Sequence, residues 1–115
     1  MIKAFAMLCK KPDLKQEEFL HYWKEKHAPL ASKIIPGLRK YIQHHPVTIP
    51  GVQLEIDGIA EIWWDDLESL QRYFLWRQTA EAKVLISDEE RFIDTKKTMR
   101  FFGKDYVVVE DKSKL

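Results

Sequence analysis

Two side chains of this sequence are of a type, and in a pattern, that could move protons. Phe19, Trp23 and His27 recur every four residues, so on a helix they form one stripe that faces inward. An imidazole titrates near neutral pH, so His27 could act there as a general acid or base. The alternative is a core histidine that donates to a backbone carbonyl freed where Pro29 disturbs the helix.

Glu61 is the second candidate, because it lies between apolar neighbours in the middle of a predicted strand. A carboxylate buried there must be paired, or its pKa must rise. It could serve as an acid/base group or orient a histidine. The alternative is an ion pair across the sheet with Arg39, with Arg100 or with a dimer mate.

The other reactive side chains predict neither a metal site nor a cofactor. His44 and His45 are adjacent, so on a strand they face opposite ways and cannot both bind one ion, and no third ligand is evident. Cys9 is the only cysteine, which excludes an internal disulfide and a cysteine-based cluster. The sequence has no phosphate-binding glycine loop and no His-Glu-x-x-His or nucleophile-elbow motif. His21 and the acidic run Asp88, Glu89 and Asp94 are predicted to be solvated.

The aromatic content is high for one small domain, with Trp 4, Tyr 4 and Phe 6 in 115 residues. Trp63 and Trp64 place an indole on each face of a strand, one toward the core and one toward a partner or ligand. Tyr73 and Trp76 lie where the second helix breaks and could wall a pocket mouth. Core packing is the alternative for each of these rings.

Composition narrows the class of protein. The length suits one domain, and a net charge of +1 with a pI of 7.8 predicts no affinity for nucleic acid or for an anionic membrane. The apolar start, Met1 to Cys9, is too short to span a membrane and has no cleavage site of a signal peptide. We therefore expect a cytoplasmic protein.

The periodicity predicts an α+β fold of four strands and two helices. The predicted strands are Ile2–Cys9, Leu38–Thr48, Ile59–Trp64 and Met99–Phe102 with Tyr106–Val109, and a loop covers Pro46–Ile56. One helix opens at an Asp13 cap and is disturbed near Ala28. The other opens at an Asp65 cap, buries Leu67, Leu70 and Phe74, and continues from Thr79 to Phe92.

This βαββαβ order is that of a ferredoxin-like domain, expected over residues 1–110, with a polar tail at 111–115. Such a domain has a four-stranded antiparallel sheet with both helices on one face. The predicted strands are apolar on their second face as well. We therefore expect a homodimer that packs sheet against sheet.

Four segments, in order, resemble the EthD family. They are Glu18-Phe19 with Tyr22-Trp23 and His27-Ala28-Pro29-Leu30, then Arg39-Lys40-Tyr41, then Asp57 to Trp63 with Asp66-Leu67-Glu68, and finally Asp88 to Asp94. The resemblance implies a dimeric α+β barrel, with the family's histidine at His27 and its strand carboxylate at Glu61. The family is named for a protein linked to fuel-ether degradation beside an oxygenase system. Relatives of this architecture include muconolactone isomerases, polyketide cyclases and cofactor-free monooxygenases, which bind small, often aromatic, substrates between helices and sheet.

The resemblance thus implies a cofactor-independent enzyme that transfers a proton on a small hydrophobic or aromatic oxygenated compound. His27 would be the acid/base and Glu61 or Tyr41 its orienter. The candidate pocket walls are Tyr22, Trp23, Trp63, Trp64, Tyr73 and Trp76. One alternative is a binding module or accessory protein of an oxygenase or degradation system, and another is a structural dimer without a pocket. A cavity of about 300 Å³ at His27 would favour the first two.

Overall fold

A computed structural model of the chain describes residues 1–113, so residues 114 and 115 of the predicted tail lie outside the described residues. The strands are β1 (Ile2–Leu8), β2 (Lys40–His44), β3 (Gly58–Trp64) and β4 (Met99–Gly103). The α-helices are α1 (Gln16–Tyr22), α2 (Ala28–Ile34), α3 (Leu67–Trp76) and α4 (Lys83–Phe92). The strands form one antiparallel sheet in the order β2-β3-β1-β4, which confirms the predicted ferredoxin-like fold. No described helix combines the length and the apolar character that a membrane crossing needs.

The first helix begins later than predicted and changes its pitch before Pro29. Its first turn is closed by the Glu18 carboxylate, which accepts from the Lys15 N–H at 2.9 Å, so the predicted Asp13 cap is wrong. Residues 23–27 form a π turn, in which the Ala28 N–H reaches back five residues to the Trp23 carbonyl. Pro29 then lies in the first turn of α2, where no backbone N–H is required. The predicted restart near Ala28 is confirmed.

The strand pairing fixes which side chains face the helices. Ala6 lies directly opposite Ala60, and both point toward the helices. Phe5 lies opposite Glu61 on the other face, here called the open face. Trp63 and Trp64 lie on opposite faces of β3, as predicted.

The last strand ends at Gly103, so the predicted strand at Tyr106–Val109 is wrong. Gly103 pairs with Lys3, which leaves almost no residue of β1 for further pairing. The side chains beyond it are exposed, Tyr106 by 90%.

The cap of α3 also differs from the prediction by one residue. Asp66, rather than Asp65, accepts from the Ser69 N–H at 2.8 Å. The helix buries Leu70, as predicted, together with Tyr73. The predicted burial of Leu67 and Phe74 is wrong, because these side chains are 58% and 36% exposed. After α3, Thr79 precedes a 3₁₀ turn at Ala80–Ala82 that leads into α4, as predicted.

The core has two parts that flank the middle of the sheet. One comprises Leu8, Phe19, Trp23, Ala60, Phe92 and Ile93. The other comprises Ala31, Ile35, Trp64, Leu70, Tyr73 and Leu85. The inward stripe predicted for α1 is confirmed, because Phe19, Trp23 and His27 are all buried.

Candidate functional site

A cavity of about 60 Å³ lies between the helices and the sheet, where the two core clusters meet. Its floor includes Ala6 and Ala60, a directly opposed pair whose methyl groups leave this space unfilled. The polar residues that line it are His27, Tyr41, Tyr73, Glu89, Thr95, Thr98 and Arg100. Two alanines at facing positions of the central strands are the sequence signal for this cavity, which was not predicted from them.

His27 presents one ring nitrogen to a carboxylate and leaves the other without a hydrogen bond to the described residues. Its Nδ1 lies 2.7 Å from Oδ2 of Asp88 on α4. The Tyr22 hydroxyl donates to the other oxygen of Asp88 at 2.5 Å. Since a carboxylate only accepts, Nδ1 carries a proton, and in the neutral imidazole Nε2 is the acceptor. The imidazole lines the cavity, is 6% exposed and packs on the Phe92 ring at 4.9 Å between centroids.

The prediction of a solvated Asp88 is wrong, because its side chain is only 13% exposed. Leu85, Asp88 and Phe92 follow each other at i, i+3 and i+7, so they share the inward face of α4. That spacing was the signal for Asp88. Its partner His27 lies 61 residues earlier in the chain, which no local pattern could reveal.

Glu61 does not orient His27, because it lies on the open face of the sheet and His27 lies under the helices. Its carboxylate is 2.8 Å from Nε2 of His44, accepts from the Trp63 indole at 2.6 Å and is 3.7 Å from the Lys3 ammonium. The predicted partners Arg39 and Arg100 are not among these contacts. Burial raises the pKa of the Glu61 carboxyl, but the hydrogen bonds from Trp63 and His44 and the charge of Lys3 outweigh it, so the net shift is downward.

Tyr41 faces the cavity from β2. Its hydroxyl oxygen accepts from Nε2 of Gln43 at 3.0 Å, and the same amide donates to the Trp23 carbonyl of the π turn. Burial raises the pKa of the Tyr41 phenol, so it is protonated at neutral pH. With its oxygen held by Gln43, the phenol is free to donate to a molecule in the cavity.

The predicted wall residues lie at different places in the fold, and only two of them line the cavity of about 60 Å³. Trp23 and Tyr73 line the cavity, and Tyr22 lies behind it against Asp88. Trp64 lines a second cavity of about 30 Å³. Trp76 stacks on Tyr73 at 6.1 Å between ring centroids. Trp63 is on the open face, under the ammonium groups of Lys3 and Lys40 at 4.1 and 4.5 Å from its ring, so it is not a wall of this cavity.

One rim of the cavity is held by an ion pair. Arg77 binds both oxygens of Glu89 at 2.9 Å and donates to the Tyr73 hydroxyl at 3.1 Å. The hydrogen bond to Glu89 raises the pKa of the Arg77 guanidinium further above its ordinary value. Both charges are therefore neutralised within the wall.

The two adjacent histidines diverge, as predicted. His44 binds Glu61 on the open face, whereas the His45 ring stacks on Trp23 at 4.9 Å. Within residues 1–113, no three side chains of His, Cys, Asp or Glu converge to hold a metal ion.

Comparison with known proteins gives a family and a fold. The model of the EthD domain matches residues 11–96. A protein of the ethyl tert-butyl ether D (EthD) family from Bacillus halodurans is 31% identical over 92% of this chain and 99% of that one, with a TM-score of 0.68. No curated protein matches the chain significantly.

Two more distant structures share the fold alone. A protein from Arabidopsis thaliana is 15% identical over 96% of this chain and all (100%) of that one, with a TM-score of 0.69. A protein of unknown function from Bacteroides fragilis, described as dimeric and ferredoxin-like, is 12% identical over 90% and 95% of the two chains, with a TM-score of 0.61.

Proposed function

The chain belongs to the EthD family, and we propose that it is a cofactor-independent enzyme that moves a proton on a small hydrophobic or aromatic oxygenated compound. One observation carries the proposal. His27 is buried in the cavity wall with Nδ1 bound to Asp88 and with Nε2 unpaired among the described residues. Most buried polar atoms have a hydrogen-bond partner, so an unpaired Nε2 at the cavity favours contact with a bound molecule over a role in core packing alone.

The chemistry follows from the tautomer. Nε2 accepts a proton from a carbon or hydroxyl of the bound molecule, and the Asp88 carboxylate stabilises the imidazolium that forms. The Tyr41 phenol donates a hydrogen bond to the oxygen on which negative charge develops. The same imidazolium returns the proton at another atom. This sequence serves isomerisation, cyclisation, dehydration or elimination.

The cavity reaches His27 but is smaller than the volume of about 300 Å³ that would favour an enzyme or a binding module, so it must widen before a ring can enter. Its volume of about 60 Å³ is well below the roughly 150 Å³ that admits benzene in an engineered protein cavity. Thr95, Thr98 and Arg100 form the part of the rim outside the core, and Thr95 and Arg100 are exposed. We expect their side chains to move outward when the substrate binds.

We further propose that the protein is a cytoplasmic homodimer. The exposed Phe101 and Met99 side chains on the open face support the dimer. A single cysteine, Cys9, suits a reducing compartment.

Exchange of carbon-bound protons with D₂O tests the proposed reaction class. Small oxygenated compounds, aromatic ketones and enones among them, are incubated in D₂O with the protein, and loss of each ¹H NMR signal is followed. We expect at least one compound to exchange with the wild type and His27→Ala to slow that exchange by about 10²–10⁴-fold. His21→Ala is the matched control, because His21 is exposed on α1.

Two results would contradict the proposal. Equal exchange rates for the wild type and His27→Ala would remove the assigned base. Compounds that raise the melting temperature of the wild type but never exchange would favour the alternative of a binding module that holds a ligand for an oxygenase or degradation system.

A further inference from the structure

We propose that Arg100 is the anion-recognition residue of this cavity, and that the substrate carries a carboxylate or a comparable oxyanion. The inference rests on the proposed function of the cavity and narrows its class of substrate. The supporting feature is a row of side chains that crosses the sheet beneath the helices.

That row has small residues in the middle and polar residues at both ends. The register places Arg100 opposite Ala6, Ala6 opposite Ala60, and Ala60 opposite Gln43. Neighbouring strands lie about 4.8 Å apart, so the two ends are roughly 14 Å from each other. The alanines leave a trough between them, and Arg100 closes the β4 end of it.

The charges around the trough single out Arg100. Asp88 is bonded by Tyr22 and His27, and Glu89 is bonded by Arg77. No carboxylate of residues 1–113 forms an ion pair with Arg100. It is therefore the one charged group of the lining that has no counter-ion in the described chain, and its charge is positive.

Arg100 also lies between two cavities. It lines the cavity of about 60 Å³ and the second one of about 30 Å³, and Ala6, Ala60 and Tyr73 line both as well. An outward swing of this exposed side chain would join the two. Its guanidinium could then bind both oxygens of a carboxylate at the rim, while the apolar part of the molecule lies on the alanines near His27.

Benzoate and benzamide test the inference, because they share one ring and one planar shape but differ in charge. Binding is followed by the NMR shifts of the Ala6 and Ala60 amides. We expect wild-type protein to bind benzoate about tenfold more tightly than benzamide, as one charge-assisted pair would give. Arg100→Gln should bring the two affinities within about twofold by weakening benzoate alone, and Arg100→Lys should keep part of the preference.

Lys97→Gln is the matched control, because it removes the same charge from an exposed position of the preceding turn that does not line the cavity. A preference for benzoate that survives in Arg100→Gln, or a wild type that binds both probes equally or binds neither, would overturn the role of Arg100. The proposed proton transfer is judged separately, since His27→Ala should slow exchange by about 10²–10⁴-fold and retain the preference for benzoate.

Discussion

The Asp88 carboxylate determines which nitrogen of the His27 imidazole carries the proton. Asparagine would keep its size, but an amide can donate to Nδ1 and so favour the tautomer with the proton on Nε2. We expect Asp88→Asn to slow the His27-dependent exchange by roughly 10²–10⁴-fold. The ¹⁵N spectrum of the imidazole should show the proton moving from Nδ1 to Nε2.

Tyr22→Phe serves as the control for that change. It removes the second hydrogen bond of Asp88 and leaves the carboxylate in place. The free energy of unfolding, measured in urea, should fall by about 1.5–3 kcal/mol, the usual contribution of a hydrogen bond to a charged group. The proton should stay on Nδ1. An unchanged ¹⁵N spectrum in Asp88→Asn would show that Asp88 does not set the tautomer.

Because of Glu61, the stability of the fold should decrease as the pH falls. Its folded-state pKa lies below the ordinary value of 4.5, so the unfolded chain binds this proton more readily. The carboxylate therefore stabilises the fold above about pH 4.5, and this contribution is lost as the pH falls through the lowered pKa. Glu61→Gln should flatten the fall of the urea midpoint between about pH 5 and pH 3.

Glu17→Gln, which alters an exposed carboxylate of α1, should leave the slope of the wild type. If Glu61→Gln shows that slope as well, the hydrogen bonds of Glu61 do not stabilise the fold.

At the scale of helices and strands, the contact of Gly58 with Trp23 ties the start of β3 to the π turn. A Cβ on Gly58 would lie 2.6 Å from the Trp23 ring. We expect Gly58→Ala to destabilise the fold by about 1–3 kcal/mol, as overpacking of a full core does. Trp23→Phe provides space, so the same Gly58→Ala change should cost less in that background. Additive free energies of unfolding in the double variant would contradict the contact.

Elements were predictable where the pattern was local, and their ends were not. The opposite faces of Trp63 and Trp64 were predicted correctly, because successive side chains of a strand point to opposite sides of the sheet. The face of α3 was missed because Phe74 and Tyr73 both lie at helical spacing from Leu70, and only packing on Trp64 selects Tyr73. Tyr106–Val109 has the composition of a strand, but β1 offers it no partner.

The residues of the site were likewise predictable only where the sequence pattern is local. His27 was predictable from the stripe on its own helix. Its hydrogen-bond partner Asp88 was not, because two distant helices must first pack together. Pairing of the Glu61 carboxylate was one of the predicted alternatives, and it is observed. That Glu61 and His27 lie on opposite sides of the sheet was not predictable, because it depends on which face of the sheet the helices cover.

For the whole molecule, the open face can be covered without leaving a buried charge unpaired. At its centre, Glu61 is already bonded by Trp63 and His44 and lies near Lys3. Covering a carboxylate with these partners costs far less than burying a lone one. Lys3 also binds Asp105 at 2.8 Å, which draws the apolar segment after β4 toward this face. Sheet-to-sheet packing of two copies would bury both regions.

If the protein is the proposed dimer, its assembly should depend more on an exposed ring of the open face than on an equally exposed side chain on the helix side. Phe101 on β4 is 59% exposed and Leu67 on α3 is 58% exposed. Light scattering during size-exclusion chromatography should give a dimer for the wild type and for Leu67→Asp. Phe101→Asp should shift the population to the monomer, because a carboxylate would be buried without a partner. A Phe101→Asp variant that stays dimeric, or a dimer that only Leu67→Asp disrupts, would place the interface elsewhere.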